Sequence, residues 1–177
     1  MKLVILDRDG VINYDSDEYI RGPEDWRAIP GSLEAIARLS QAGFGVVVAT
    51  NQSGLARGLL DMAALNAIHA KMYRAVGQVG GRIEAIFYCP DLPDSNSPCR
   101  KPNPGMYRAI AERFNVPLER VPAVGDSRHD LQAAEAVGAQ PILVMTGKGA
   151  KTRAEGNLPA STLIFADLAA VAEALCA

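Results

Sequence analysis

Short apolar runs rich in β-formers recur along the chain at residues 3–6, 44–49, 83–88, 121–124, 141–145 and 162–165. Between them lie stretches whose apolar residues return with a helical period. Ser32–Gln41 reads as a helix with Ser32 as its N-cap and Gly43 just past its end, and 61–79 as a helix opened by Asp61. Segments 106–114, 129–137 and Leu168–Leu175 complete the helical set, the last behind Asp167 as its cap. Strands alternating with helices predict an α/β fold: a Rossmann-like parallel sheet with helices on both faces. Two longer loops, 13–30 and 90–104, interrupt the rhythm. Loops of that length in a compact domain tend to carry function.

The bulk properties narrow the picture. A chain of 177 residues, 49% apolar and 21% charged, suits one domain spanning 1–177, large enough to bury well over half of its unfolded surface. The net charge of −2 leaves no surplus of Lys and Arg to hold a polyanion, so nucleic acid is not an expected partner. The N-terminal run Leu3-Val4-Ile5-Leu6 meets Asp7 far short of the length of a signal segment or a membrane span. A cytoplasmic monomer without membrane attachment is expected. Cys89, Cys99 and Cys176 are odd in number and too sparse for a disulfide scaffold, which suits a reducing compartment.

Candidate chemistry gathers at the ends of the predicted strands. The first ends in Asp7-Arg8-Asp9-Gly10, placing two carboxylates at the sheet edge where α/β proteins bind ligands. The second ends in Thr50-Asn51-Gln52-Ser53-Gly54, whose hydroxyls, amides and backbone N–H groups suit phosphoryl oxygens. Arg100-Lys101-Pro102-Asn103-Pro104 brings two cations to a helix start, where the dipole also favours anions. The fourth strand ends in Gly125-Asp126, with Asp130 one helical turn on. Taken singly, each station has an ordinary explanation, since Asp and Gly are common in turns and adjacent cations are usually solvated surface. Together, Asp7, Asp9, Asp126 and Asp130 would repel one another unless a hard divalent cation sat among them. Oxygen-only ligands predict magnesium rather than zinc.

These stations resemble the four motifs of the haloacid dehalogenase superfamily, quoted as Asp7-Arg8-Asp9-Gly10, Thr50, Lys101 and Gly125-Asp126 with Asp130. Asp7-Arg8-Asp9-Gly10-Val11-Ile12-Asn13, the run from Thr50 to Gly58, Tyr88-Cys89-Pro90 and the run from Cys99 to Met106 look more narrowly like its heptose-bisphosphate phosphatases. That branch removes the C7 phosphate of a heptose 1,7-bisphosphate on the ADP-heptose route to lipopolysaccharide core. Histidinol-phosphate phosphatases share much of the pattern and remain the alternative. The resemblance implies a capless fold, a sugar phosphate substrate and Mg2+, with Asp7 as nucleophile and Asp9 as general acid and base. It further implies that Thr50 and Lys101 stabilise phosphoryl charge, that Asp7, the Asp9 carbonyl and Asp126 hold the metal, and that Asp130 orients this shell. Receiver-type signalling modules also place an acceptor Asp, a hydroxyl and a Lys at strand ends, but the acid at plus two, Asp9, suits turnover rather than a lasting phospho-state.

Substrate contacts are expected from Asn51, Gln52, Ser53 and Arg100, a guanidinium suited to a second phosphate. The run Asp15-Ser16-Asp17-Glu18 reads either as a hydroxyl-recognition loop or as an ordinary solvated acidic loop. His69 and His129 read as surface or capping residues, Trp26 and Tyr19 as packing for the first long loop, Met62 and Met72 as helix packing. Many relatives carry a zinc knuckle of Cys-x-His and Cys-x-Cys before the Arg-Lys-Pro. Here Asp91 stands in place of the His and Ser97 in place of the third Cys, so structural zinc is not expected.

Overall fold

The computed structural model describes residues 1–177. Six parallel strands, β1 (Lys2–Leu6), β2 (Phe44–Asn51), β3 (Ala85–Cys89), β4 (Pro122–Gly125), β5 (Gln140–Val144) and β6 (Leu163–Phe165), form one sheet in the order β3-β2-β1-β4-β5-β6. Each predicted apolar run is a strand, with ends shifted by at most two residues. The helices are α1 (Ser32–Gln41), α2 (Met62–Gln78), α3 (Gly105–Phe114), α4 (Arg128–Ala136), α5 (Gly149–Glu155) and α6 (Leu168–Leu175). The sequence reading missed α5. With only Gly149 and Thr152 buried, that segment shows no apolar stripe to read.

Period-two alternation in the strands builds the core on both faces. On β1 and β2, Val4, Leu6, Val46 and Val48 meet Ile36 and Leu39 of α1, Leu65, Ile68 and Met72 of α2, and Leu168 and Val171 of α6. Leu3, Ile5, Val47 and Ala49 point the other way, to Met106, Tyr107 and Ile110 of α3 and Ala133 and Ala134 of α4. Fully burying each large aliphatic side chain contributes about 1.5–3 kcal/mol. Two buried layers explain why the central strands read as continuous apolar runs.

Caps matched the sequence at two of three helices. Asp61 accepts from Ala64 N and Asp167 from Ala170 N. Ser32, however, is already helical; Gly31 at φ 86° is the cap residue, and Ser32 Oγ donates instead to Val11 O at 2.8 Å. That bond ties α1 to the turn after β1. The loop after β1 is anchored by Trp26, 3% exposed, and by Lys71 Nζ, which donates to Pro23 O (2.6 Å) and Trp26 O (2.8 Å). Met72 is buried as expected, whereas Met62, the first residue of α2, is exposed. No helix is long and apolar enough to cross a membrane.

Sheet order positions the site. From central β1 the chain first winds outward to β2 and β3, then returns on the other side through β4. The carboxyl ends of β1 and β4 therefore flank the crevice at which strand order reverses.

Candidate active site

The β1 ladder continues for one residue past the strand, with Asp7 N donating to Val124 O at 2.9 Å. The chain then folds back sharply, Ile12 N donating to Arg8 O at 2.8 Å. Gly10 has φ +83°, and a Cβ there would collide with the Asp126 carboxylate, so the turn requires glycine. Thr146 Oγ1 donates to Gly10 O at 2.7 Å, pinning the turn from the loop after β5.

Lys101 reaches this point through the interior. Its ammonium, on a side chain 2% exposed, donates to Ala49 O at 2.8 Å and pairs with Asp130 Oδ1 at 2.6 Å and Asp7 Oδ1 at 3.2 Å. Asn51 grips the Lys101 backbone from the end of β2: its Nδ2 donates to Lys101 O and its Oδ1 accepts from Lys101 N, each at 3.1 Å. Burial alone would lower the Lys101 pKa, but the charges of Asp130 and Asp7 outweigh it and raise the group above its ordinary value. Lys101 stays cationic.

Three of the four predicted acids converge: oxygens of Asp7, Asp126 and Asp130 lie within 4.8 Å of one another. Asp130 is fully engaged, its Oδ2 accepting from Asp126 N (3.1 Å), Ser127 N (3.1 Å) and Ser127 Oγ (3.0 Å) while Oδ1 holds Lys101. Asp7 and Asp126 each keep one carboxylate oxygen free of protein donors, and the Asp9 carbonyl accepts no hydrogen bond. Burial, then the charge of Asp130, raises the Asp7 pKa well above the usual carboxylate range and pushes Asp126 up to about 7. Such a set of free hard oxygens, carrying crowded negative charge, fits a magnesium ion.

Asp9 departs from the expected convergence. Its Oδ1 accepts from Arg8 Nε at 2.8 Å and Asn13 Nδ2 at 3.0 Å, and its Oδ2 from Gln52 Nε2 at 3.3 Å. Burial would raise its pKa, but the Arg8 charge and these bonds together bring it below the ordinary value. Arg8 is itself fully buried, and its NH1 lies 3.1 Å from Nε2 of His69. His69 is thus no surface residue: it stands in the buried stripe of α2. A polar side chain in an apolar stripe signals a buried partner, although the sequence does not say which.

The resulting cleft, about 190 Å3, has no hydrophobic residue in its lining; Asp7, Asp9, Thr50, Asn51, Lys101 and Asp126 line it together with Asp15, Arg100, His129 and Lys148. An adjoining cleft of about 250 Å3 adds Ser16, Asp17, Tyr19, Gln52, Ser53 and Arg57. Of the acidic loop, Asp15, Ser16 and Asp17 face these clefts, while Glu18 lines only a neighbouring depression with Tyr14 and Arg21, which Asp15 and Ser16 also line. Tyr19, partly buried, lines the second cleft with Arg57 over its ring at 5.9 Å, and His129, an exposed residue, lines the first. Burial, then the charge of Arg57, lowers the Arg100 pKa, so two guanidinium groups crowd one wall.

Sequence reasoning also passed over Lys148, which pairs with Asp15 Oδ2 at 3.4 Å and whose backbone N donates to Asp126 Oδ2 at 2.8 Å. Its position just after β5, at the same sheet edge, was the available signal. Cys89 and Cys99, read as reduced thiols, are joined in a disulfide with Cα atoms 5.7 Å apart. The loop leaves the end of β3 and returns beside it to deliver Arg100, which brings the two sulfurs together. Asp91 Oδ2 lies 3.6 and 3.5 Å from them.

The chain belongs to the haloacid dehalogenase-like hydrolases: residues 98–171 match the family model described as HAD-hydrolase-like, and full-length relatives extend the match. Among those, it is 63% identical to D-glycero-beta-D-manno-heptose-1,7-bisphosphate 7-phosphatase of Bordetella bronchiseptica, covering 99% of this chain and 98% of that one. It is 59% identical to the protein of the same name from Pseudomonas putida, covering 99% of each. The crystal structure of the B. bronchiseptica D,D-heptose 1,7-bisphosphate phosphatase complexed with magnesium and phosphate superposes with a TM-score of 0.97 over 99% of this chain and 98% of that one, at 63% identity. A Listeria monocytogenes protein, 17% identical, shares the fold alone, with a TM-score of 0.71 over 99% of this chain and 97% of that one.

Proposed function

We propose that this chain is a magnesium-dependent phosphatase that removes the C7 phosphate of D-glycero-D-manno-heptose 1,7-bisphosphate through an aspartyl phosphate on Asp7. One observation carries the reading: the Asp7 carboxylate stands at the sheet switch point, 3.2 Å from a buried ammonium and beside Asp126, with Asp9 on the wall of the same cleft. The likeness to heptose bisphosphate phosphatases supports the substrate. The crowded Arg57 and Arg100 wall favours a second anionic group on that substrate, whereas the cationic amine of histidinol phosphate would meet it unfavourably.

Asp7, Asp126 and the Asp9 carbonyl would hold magnesium, which when bound neutralises phosphoryl charge and cancels the repulsion among the acids. In the first half-reaction, a free Asp7 oxygen attacks phosphorus and the bond to the C7 oxygen breaks. Asp9 gives its proton to that leaving oxygen. In the second, Asp9 takes a proton from water, which attacks the phosphoaspartate and restores Asp7. Arg8 holds Asp9 ionised in the free site, the state that the second half needs, while the negative charge of a bound phosphate beside Asp9 opposes Arg8 and favours the proton that the first half delivers. Lys101 supplies fixed positive charge to the phosphoryl group, and the Thr50 hydroxyl, whose proton is held only by a 3.4 Å bond to Asn51 O, can turn to a phosphoryl oxygen. Asp130 and Asn51 act from behind by holding Lys101. Asp15, Ser16, Asp17, Gln52 and Ser53 line the way in and meet the sugar hydroxyls. The 177 residues act as one capless domain, working as a cytoplasmic monomer.

Phosphate release from heptose 1,7-bisphosphate beside histidinol phosphate, with the product mapped by NMR, tests the substrate. Loss of the C7 phosphate, at an efficiency far above that for histidinol phosphate, is expected. Asp7→Asn should reduce turnover by orders of magnitude; retention of about a tenth of the wild-type rate would remove the covalent mechanism.

A further inference from the structure

We propose that His69 is a positioning residue for phosphoryl transfer: by accepting from Arg8 NH1, it orients the guanidinium whose Nε fixes the Asp9 carboxylate. The inference rests on the acid role given to Asp9 above. Asp7 forms a new O–P bond, the bond from phosphorus to the sugar oxygen breaks, and the Asp9 proton moves to that oxygen. An alkoxide leaves poorly unless the proton is in place when the bond breaks.

The geometry forms a chain of three groups reaching 61 residues along the sequence. Leu65, Ile68, Met72 and Val76, the other buried residues of α2, are all apolar, so His69 interrupts a stripe that Leu would fill. Arg8 has no exposed side-chain surface, and a buried guanidinium needs acceptors to fix its plane. It has two, Asp9 Oδ1 on Nε at 2.8 Å and His69 Nε2 on NH1 at 3.1 Å, while NH2 has none. Without His69 the plane would hang on the Asp9 contact alone, and Asp9 would steer Arg8 rather than be steered by it. Burial and the Arg8 charge lower His69 to about 4, so at neutral pH its Nε2 lone pair is available and the ring proton sits on Nδ1. At Asp9, Oδ1 takes two donors at 2.8 and 3.0 Å, whereas Oδ2 takes one at 3.3 Å. Oδ2 is therefore the oxygen left to carry and deliver the proton.

A residue that merely solvated Arg8 would, when replaced, lower all activities together by reducing the fraction of folded enzyme. A positioning residue acts selectively, because a leaving group that is already stable as an anion hardly needs the acid. The test compares kcat/KM for heptose 1,7-bisphosphate, with its alkoxide leaving group, and for 4-nitrophenyl phosphate. His69→Leu should lose about tenfold more on the first than on the second, a part of the 10²–10⁴ that a positioned acid contributes. His69→Asn, whose oxygen falls short of the Nε2 position, serves if the Leu variant folds poorly, and should show the same selective loss. His69→Gln, which returns an acceptor near Nε2, should restore both activities to near wild type. Asp9→Asn is the reference and should discriminate most strongly. If Asp9→Asn discriminates while the Leu and Asn variants lose equally on both substrates, the positioning role is overturned and the acid role stands. If Asp9→Asn itself loses equally on both, the acid role falls and this inference falls with it.

Discussion

Lys101 shows how single residues divide between legible and hidden roles. Its chemistry was readable because a Lys fixed among prolines before a helix suits an anion, and the structure places it 3.2 Å from Asp7. Its second duty, neutralising Asp130 at 2.6 Å, depends on a fold contact 29 residues away. Arg8 was opaque for the same reason. Between two acids it looks like a surface charge, yet it is buried and spent on Asp9 and His69. Arg100 is the reverse case, a cation expected at the site from its neighbours that does line the cleft. With NH1 tied to Asp91 O at 3.0 Å, its guanidinium is held on the cleft wall beside Arg57. Arg100→Ala should therefore reduce kcat/KM for the bisphosphate about tenfold or more, because a hydrogen bond to a charged group contributes about 1.5–3 kcal/mol. Activity on 4-nitrophenyl phosphate, which lacks a second phosphate, should fall much less; equal losses would make Arg100 a support of the site only.

At the scale of elements, helix starts do the positioning. Ser127 and Asp130 form a capping box at α4, and the same Asp130 carboxylate also holds Lys101. A local device that starts a helix thereby fixes the cation beside Asp7. Ser127→Ala should lower stability by about 1 kcal/mol, the usual effect of losing a cap, read as a lower melting temperature. Because Asp130 Oδ2 keeps the N–H bonds of Asp126 and Ser127, turnover should fall only a few-fold; an unchanged melting temperature would show the box to be idle. Caps were legible where an Asp stood before a clear apolar period, at Asp61 and Asp167. Ser32 was misread because its hydroxyl is used in a tertiary bond to Val11, and α5 was missed because its short length leaves no stripe.

The whole molecule gathers negative charge at one sheet edge and so couples folding, protons and metal. Burial and Asp130 raise Asp126 to about 7 and move Asp7 in the same direction. Between about pH 4 and 7 the folded, metal-free protein therefore holds protons that the unfolded chain releases, so these groups make stability fall as pH rises through that window. Magnesium binding needs the same protons to leave. The rise in melting temperature produced by magnesium should be small near pH ~5.5, grow through about 7 and level off above it. An equal rise at both ends of that range would show that Asp126 does not bind the metal. The sequence by itself determined the six strands, the α/β class and the gathering of Asp7, Thr50, Lys101 and Asp126 at one sheet edge, because period-two burial and the chemistry at strand ends and helix starts are local in the chain. Only the tertiary structure decided that Asp9 turns to Arg8 rather than to the other acids, that His69 stands behind it, and that Lys148 and Arg57 join the cleft. Each of those facts depends on residues far apart in sequence meeting where a buried charge must find a partner.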